Sequence, residues 1–133
     1  MKLVVHVDGG ARGNPGPAAI GVVVAGADGT PIEQRGERIG EATNNVAEYR
    51  ALLRGLERAR ALGATEVELV GDSELIAKQV NGQYKVKHAG LRPLHAQALA
   101  ALGAFASWRV RTVPRAQNAA ADALVNAALD AAP

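Results

Sequence analysis

Residues 2–8 read KLVVHVD and are followed directly by GGARGNPGPA at residues 9–18. The first stretch is apolar and rich in β-branched residues, which is typical of a buried strand. The glycines and prolines of the second stretch favour a turn, so we expect the strand to end near Asp8 and to lead into a loop. Aspartate is among the residues least favoured in strands. The carboxylate at this junction is therefore the first candidate for a functional group.

Two further strands are predicted directly after the glycine-rich run. The stretch AIGVVVA at 19–25 is apolar and β-branched, and ADGTP at 27–31 is a turn signal. The stretch IEQRGERIG at 32–40 alternates apolar and polar residues, which favours a half-exposed edge strand. We expect three consecutive antiparallel strands.

Beyond Thr43 the hydrophobic spacing changes from two residues to that of a helix. Tyr49, Leu52, Leu53 and Leu56 recur at i, i+3, i+4 and i+7, which predicts a helix that ends near Gly63. The remaining predicted elements are a strand at EVELVG (66–71), a short helix at DSELIAKQVNG (72–82), a helix at LRPLHAQALAALGAF (91–105), a strand at WRVRTV (108–113), a loop at PRAQN (114–118) and a helix at AAADALVNAALDAA (119–132). This order calls for an α/β fold, a mixed sheet with helices on its faces. We expect the last one or two residues to fray.

The composition narrows the possible functions. A chain of 133 residues with 48% apolar content suits one domain, so residues 1–133 are predicted to form a single domain. The absence of cysteine excludes disulfides and thiolate metal sites, which leaves oxygen ligands and three histidines. No leader-like segment or membrane-spanning run is recognisable, so we expect a soluble, cytoplasmic protein without a membrane partner.

Four carboxylates stand out, and each also has an ordinary structural explanation. Asp8 is suited to starting a turn, and Glu48 follows Asn45 at the spacing of a capping box. Asp72 is suited to capping a helix, although Ser73 offers the same group, and Asp122 lies in the first turn of the last helix. Taken one at a time, none of the four indicates function.

Their joint placement is more informative. Asp8 and Asp72 follow buried strands, and open α/β sheets bind ligands at the carboxyl ends of such strands. Glu48 and Asp122 begin helices that pack on the same sheet, so all four are expected at one rim. Gathered carboxylates repel one another unless cations lie among them, and oxygen ligands suit Mg²⁺ or Mn²⁺. With four of the 13 acids neutralised in this way, the net charge of +2 rises to +6, which is compatible with a polyanionic ligand.

Four motifs together resemble ribonuclease H of type 1, and they cover nearly the whole chain in that family's order and spacing. The motifs are VDGGARGNPGPAAIG (7–21), TNNVAEYRALLRGL (43–56), VGDSELIAKQVNGQYKVK (70–87) and PRAQNAAADALVN (114–126). The resemblance implies a five-stranded mixed sheet of order 3-2-1-4-5. It also implies hydrolysis of the RNA strand of RNA/DNA hybrids with two Mg²⁺ or Mn²⁺ ions per active site, giving 5′-phosphate and 3′-hydroxyl ends.

The same resemblance implies roles for individual residues. Asp8 corresponds to the acid shared by both metals, Glu48 and Asp72 to its partners at one metal, and Asp122 to a ligand of the other. Further residues correspond to substrate contacts: Asn14, Asn44 and Asn45 to the minor groove and Thr43 to a DNA-strand phosphate. The amide of Asn14, before Pro15, is equally suited to a turn. A binding module that had lost its chemistry would be expected to lack at least one acid, and all four are present.

The sequence departs from the family at two places. Many relatives have a histidine in the loop before the final aspartate, whereas here Arg115 stands there; it stays charged and suits clamping a phosphate or helping product to leave. The segment GQYKVKHAGLRPL at 82–94 is short, as in the subgroup that lacks a basic protrusion, which leaves cleavage of double-stranded RNA open. Trp108 is expected to pack in the core, and the protein is expected to be a monomer.

Overall fold

The computed structural model describes residues 1–131, which form a mixed sheet with helices on both faces. The strands are β1 (Lys2–Ala11), β2 (Gly16–Gly26), β3 (Pro31–Ala42), β4 (Glu66–Gly71) and β5 (Ser107–Thr112). The helices are α1 (Asn44–Ala61), α2 (Glu74–Val80), α3 (Arg92–Leu102) and α4 (Ala119–Asp130). Fraying at residues 132–133 was expected, and these residues lie outside the described range. No helix within residues 1–131 is long and apolar enough to cross a lipid bilayer.

The sheet has five strands in the order β3-β2-β1-β4-β5, which confirms the predicted topology. The first three strands are antiparallel neighbours, and β1, β4 and β5 run parallel. Parallel strands need a crossover connection, and α1 supplies it between β3 and β4, while α2 and α3 supply it between β4 and β5. The short β4, with Val67, Leu69 and Val70 buried, lies in the interior of the sheet.

The first strand is longer than predicted. It continues past Asp8 to Ala11, and Gly9 and Gly10 pair with Ile20 and Ala19 of β2. The expectation that the glycine-rich run ends the strand at Asp8 is therefore wrong, because an antiparallel partner on one side holds these glycines extended. Only the pairing with β4 stops early, at His6 opposite Val70.

Three smaller predictions are also corrected. Helix α3 ends at Leu102, so Phe105 lies beyond it, where its side chain is buried in the core. The segment Arg115–Asn118 forms a turn of 3-10 helix instead of an irregular loop. Trp108 is not a core residue: it lies on the edge strand β5, and 38% of it is exposed.

The outer strand β3 is half exposed along its length, as its alternating sequence predicts. Its half-buried side chains include Glu33 and Glu37, which pair with arginines of α1. The Arg58 guanidinium donates two hydrogen bonds to Glu33, at 2.7 and 2.8 Å, and Arg54 donates to Glu37 at 2.7 Å. These charge-assisted bonds fix α1 across the antiparallel half of the sheet.

Helix α1 contacts β1 backbone to backbone at one point. A side-chain carbon at Gly9 would overlap the carbonyl group of Ala47 and would lie 2.6 Å from the Glu48 nitrogen. Real carbon atoms do not approach so closely, so this position requires glycine. At the neighbouring Gly10 the nearest atom is a methyl of Val125 at 3.7 Å, which is ordinary contact. The crossing of α1 over β1 is therefore set at Gly9.

We predict that Gly9→Ala destabilises the protein by about 2 kcal/mol or more, because α1 must move to admit the methyl group. Gly10→Ala is the matched control, since its neighbour leaves room, and it is expected to cost less than about 1 kcal/mol. Urea unfolding at equilibrium measures both. Equal losses in the two variants would show that the close approach at Gly9 does not set the position of α1.

Candidate active site

Four acidic side chains meet at the carboxyl-terminal end of β1. Carboxylate oxygens of Asp8, Glu48 and Asp72 lie within 4.8 Å of one another. Asp122, from α4, borders the same open cleft, whose volume is about 390 Å³. The structure thus brings together all four acids that the sequence singled out.

The register of the parallel strands explains why two of these acids meet. The pairing of β1 with β4 ends at His6 opposite Val70, and Asp8 and Asp72 each lie two residues further on. Equal distances past the last pair place both carboxylates at the same edge of the sheet. Glu48 joins them because α1 crosses β1 at Gly9, so that the Gly9 N–H donates a 2.7 Å hydrogen bond to Glu48 Oε1.

The capping-box interpretation of Glu48 is wrong. Thr43 caps α1, since its Oγ1 accepts a 3.2 Å hydrogen bond from the Val46 N–H. Asn45 is not the cap, and Glu48 uses its carboxylate to bind β1. An acid directed away from its own helix terminus and towards two other acids has no capping function.

The structural explanation fails for Asp72 and Asp8 but holds for Asp122. Ser73 caps α2, accepting from the Ile76 N–H at 3.3 Å, so Asp72 is not needed there. Asp8 lies inside a strand, opposite Gly21, and does not start a turn. Asp122 does lie in the first turn of α4, where the helix dipole favours an acid, and its Oδ2 is 3.4 Å from Asn126 Nδ2.

The carboxyl groups of Asp8, which is buried, and of Glu48, which is partly buried, resist ionisation. Burial, together with the negative charges of Asp72 and Asp122, raises the pKa of Asp8 to about 7. Burial and the neighbouring charge of Asp8 raise the pKa of Glu48 to about 9. At neutral pH the pair therefore retains protons unless a cation compensates its charge.

The residues present suit a divalent cation. Every candidate ligand is a carboxylate oxygen, the donor that Mg²⁺ and Mn²⁺ prefer. Asp72 Oδ2 is buried without a hydrogen-bond partner among residues 1–131, and the nearest cation is Arg115 Nε at 4.0 Å. A buried acceptor of this kind costs free energy unless something binds it. The cluster is therefore a candidate metal centre built from Asp8, Glu48, Asp72 and Asp122.

The predicted substrate-contacting residues surround the start of α1. Asn44 and Asn45 line the carboxylate cleft, while Asn14 and Thr43 lie beside it without lining it. Asn14 Oδ1 accepts a 3.0 Å hydrogen bond from the Asn44 N–H, and Asn44 Oδ1 accepts one of 2.9 Å from the Ala11 N–H. These bonds use the amide oxygens to fix the glycine-rich loop, which leaves the Nδ2 groups available to donate.

Arg115 and some residues that the sequence analysis missed also line the cleft. The side chain of Arg115 is 81% exposed at the rim, near Asp72. Arg12, Ser73 and Asn126 are the missed polar residues. The one sequence signal for Asn126 was its position four residues after Asp122, one helical turn away. Nothing in the sequence distinguished Arg12 from any other loop arginine.

Comparisons with known proteins agree with this geometry. The family model described as "Reverse transcriptase-like" matches residues 6–128. The "Bifunctional protein Rv2228c" of Mycobacterium tuberculosis is 50% identical over 133 residues, which is 99% of this chain and 36% of that protein. Ribonuclease HI of Halobacterium salinarum is 46% identical over 129 residues, 97% of this chain and 65% of that protein. The chain thus spans about a third of the mycobacterial relative and somewhat less than two thirds of the archaeal one.

Solved structures give the same result over nearly the whole chain. Ribonuclease H1 of the halophilic archaeon Halobacterium salinarum superposes with a TM-score of 0.97 at 45% identity, covering 99% of this chain and 100% of that one. LC11-RNase H1 in complex with an RNA/DNA hybrid superposes with a TM-score of 0.91 at 44% identity, covering 96% of each chain. With the sheet order, the carboxylate cluster and these relatives in agreement, the chain belongs to the ribonuclease H family of type 1.

Proposed function

We propose that this chain is an endoribonuclease that hydrolyses the RNA strand of RNA/DNA hybrids and leaves 5′-phosphate and 3′-hydroxyl ends. The observation that carries the proposal is the meeting of Asp8, Glu48, Asp72 and Asp122 at one cleft. A relative of the same fold, LC11-RNase H1, was crystallised with an RNA/DNA hybrid. We propose residues 1–133 as the single domain responsible, acting as a monomer.

The four acids would hold two divalent cations, Mg²⁺ or Mn²⁺. A pair of such ions activates the attacking water and neutralises charge on the leaving oxygen of a phosphodiester. Asp8 is suited to contribute to both sites, because it lies within the close group with Glu48 and Asp72 and its pKa also responds to Asp122. The Gly9 N–H orients the Glu48 carboxylate beside Asp8 and Asp72.

Recognition of the hybrid would depend on shape and on the 2′-hydroxyl groups of the RNA strand. The Nδ2 groups of Asn14 and Asn44 remain available as donors, because their oxygens hold the loop against α1. Asn45 is exposed at the cleft and suits the same minor-groove contact. Thr43 caps α1 and would present the start of that helix to a phosphate of the DNA strand.

The charges are segregated in a way that supports binding of a polyanion. No Asp or Glu occurs from residue 75 to residue 121, and this stretch contains seven Lys and Arg residues. Some of them are neutralised locally: Lys78 pairs with Glu74, and Arg109 and Arg111 flank Glu68. The other four are Lys85, Lys87, Arg92 and Arg115. A chain with a net charge of only +2 thus has one long stretch of sequence in which basic residues outnumber acidic ones, which favours binding of a polyanion.

We predict that Asp8→Asn and Glu48→Gln each lower the rate of hybrid cleavage by roughly 1,000-fold or more, since each removes a charge from the proposed metal centre. Glu66→Gln is the control, because it removes an exposed carboxylate at the opposite end of β4 from Asp72. The assay follows matched RNA/DNA, RNA/RNA and DNA/DNA duplexes in Mg²⁺ and in Mn²⁺. Wild-type protein that leaves the hybrid intact in both metals contradicts the proposed function, and cleavage of RNA/RNA would extend it to double-stranded RNA.

We predict that the metal-free protein becomes less stable as the pH rises from about 4 to about 9. The raised pKa values of Asp8, about 7, and of Glu48, about 9, mean that the folded state holds protons that the unfolded chain releases near pH 4. Stability from these groups is complete below the unfolded pKa and is lost as the pH approaches the folded values. Melting temperatures measured by circular dichroism across this range test the prediction.

The variants and the metal give the matched controls for that measurement. Asp8→Asn removes a buried charge, so in metal-free buffer at pH 8 its melting temperature is expected to exceed that of the wild type by roughly 2–6 °C. Mg²⁺ is expected to stabilise the wild type more at pH 8 than at pH 5. A metal shift of the same size in Asp8→Asn would indicate that the cation binds elsewhere.

We predict that Arg115→Ala lowers turnover roughly 10-fold without abolishing it. Arg115 lies at the rim, 4.0 Å from Asp72 Oδ2, and arginine cannot exchange protons at neutral pH, so it is suited to clamping a phosphate or helping product to leave and not to acting as a general base. Arg115→Lys retains the charge and should keep more of the rate than Arg115→Ala. Steady-state cleavage at saturating metal makes the comparison, and unchanged turnover in Arg115→Ala would exclude the role.

A further inference from the structure

Asn118 is a buried amide that lies at a helix-capping position but bonds elsewhere. It directly precedes α4, where an asparagine side chain ordinarily caps the helix, yet it makes no capping bond. Its side chain is directed into the protein and only 1% of the residue is exposed. The amide Nδ2 donates a 2.9 Å hydrogen bond to the carbonyl oxygen of Val7 in β1. The Asn118 side chain therefore bonds to the sheet instead of capping α4.

The Val7 carbonyl needs this partner because of where it lies. The pairing of β1 with β4 ends one residue earlier, at His6 opposite Val70, while β1 itself continues. The Val7 oxygen faces Gly71, the last residue of β4, in the interior of the protein. Leaving a buried carbonyl without a donor costs about 1–3 kcal/mol. Asn118 supplies the donor at the point where the two parallel strands separate.

This bond connects the two elements that carry Asp8 and Asp122. Val7 directly precedes Asp8, and Asn118 lies four residues, or about one helical turn, before Asp122. Asn118 Oδ1 also lies 3.3 Å from His6 Nδ1, so one side chain contacts two consecutive residues of β1. The start of α4 is thereby held at a set distance from the strand that carries Asp8.

We propose that Asn118 is a positioning residue that sets the separation of Asp8 and Asp122 and so controls how tightly that pair binds a divalent cation. The proposal rests on the metal centre of the proposed function. Asn118 does not line the carboxylate cleft, and it acts through the backbone of Val7. Partners of this kind that orient ligands change metal affinity by about 10–100-fold when they are removed.

A second buried amide provides the matched control. Gln79 is 5% exposed, and its Oε1 accepts a 2.7 Å hydrogen bond from the Tyr49 hydroxyl, between α1 and α2. Gln79 does not line the carboxylate cleft. Replacing it removes a buried hydrogen bond of similar quality without touching β1 or α4. A general loss of packing and a specific loss of ligand position can thus be separated.

The experiment compares Asn118→Leu, Asn118→Ala and Gln79→Leu. Binding of Mn²⁺ is titrated by electron paramagnetic resonance, and cleavage is measured as a function of Mg²⁺ to separate the apparent metal constant from kcat. Asn118→Leu is expected to weaken Mn²⁺ binding roughly 10-fold and to raise the Mg²⁺ requirement similarly, with kcat partly recovered at saturating metal. Gln79→Leu is expected to lower the melting temperature while Mn²⁺ affinity stays within about 2-fold of wild type. If Asn118→Leu does not fold, Asn118→Ala is used for the same measurements.

Two results would overturn the proposal. One is an Asn118 variant that loses thermal stability as Gln79→Leu does but binds Mn²⁺ like the wild type, since the residue would then be only a structural one. The other comes from His6→Leu, which keeps the donation to Val7 and is expected to bind Mn²⁺ within about 2-fold of wild type. If it loses as much affinity as Asn118→Leu, the contact with His6 carries the effect. Failure of the wild type to bind or cleave would instead contradict the proposed function.

Discussion

The arrangement of the active-site cleft depends on one backbone contact, the crossing of α1 over β1 at Gly9. Because a side-chain carbon there would overlap Ala47, glycine brings the two backbones together, and the Gly9 N–H then binds Glu48 directly. The same contact places Glu48 beside Asp8, the residue that precedes Gly9. Gly9 thus brings α1 against β1 and, by doing so, places Glu48 next to Asp8. The contact at Gly9 acts together with the bonds of Arg54 to Glu37 and of Arg58 to Glu33, which also hold α1 against the sheet.

The acids gathered by this contact oppose folding. Burial raises the pKa values of Asp8 and Glu48 to about 7 and about 9, so the metal-free protein keeps protons where most carboxyl groups have none. Asp72 Oδ2, which is buried without a hydrogen-bond partner among residues 1–131, adds a further unfavourable group to the same cleft. The buried amide of Gln79, by contrast, is paired with the Tyr49 hydroxyl. Two carboxyl groups with raised pKa values in one cleft are the pattern expected where a fold holds groups ready for a ligand rather than for its own stability.

The hydrophobic period predicted the helices and strands, because it is a local signal, whereas the sheet order came from the resemblance of the four motifs to ribonuclease H. Prediction from local signals failed where a distant partner decides the outcome. The sequence predicted a turn at Gly9 and Gly10, but both residues are extended because β2 pairs with them. The capping alternative for Glu48 could not be dismissed from the sequence, since nothing local shows that the Gly9 N–H lies beside its carboxylate. Trp108 read as core because aromatic residues usually are, whereas its place on an edge strand leaves it 38% exposed.

Asn118 shows the same limitation. An asparagine before an alanine-rich helix predicts a cap, and the local sequence contains nothing against that interpretation. The side chain turns inward because β1 and β4 part at His6 and leave the Val7 carbonyl without a strand partner. The divergence that opens the cleft for Asp8 and Asp72 therefore also creates the unpaired carbonyl that fixes α4 and Asp122. One break in the strand pairing accounts both for the space in which the acids meet and for the bond that holds the fourth of them in place.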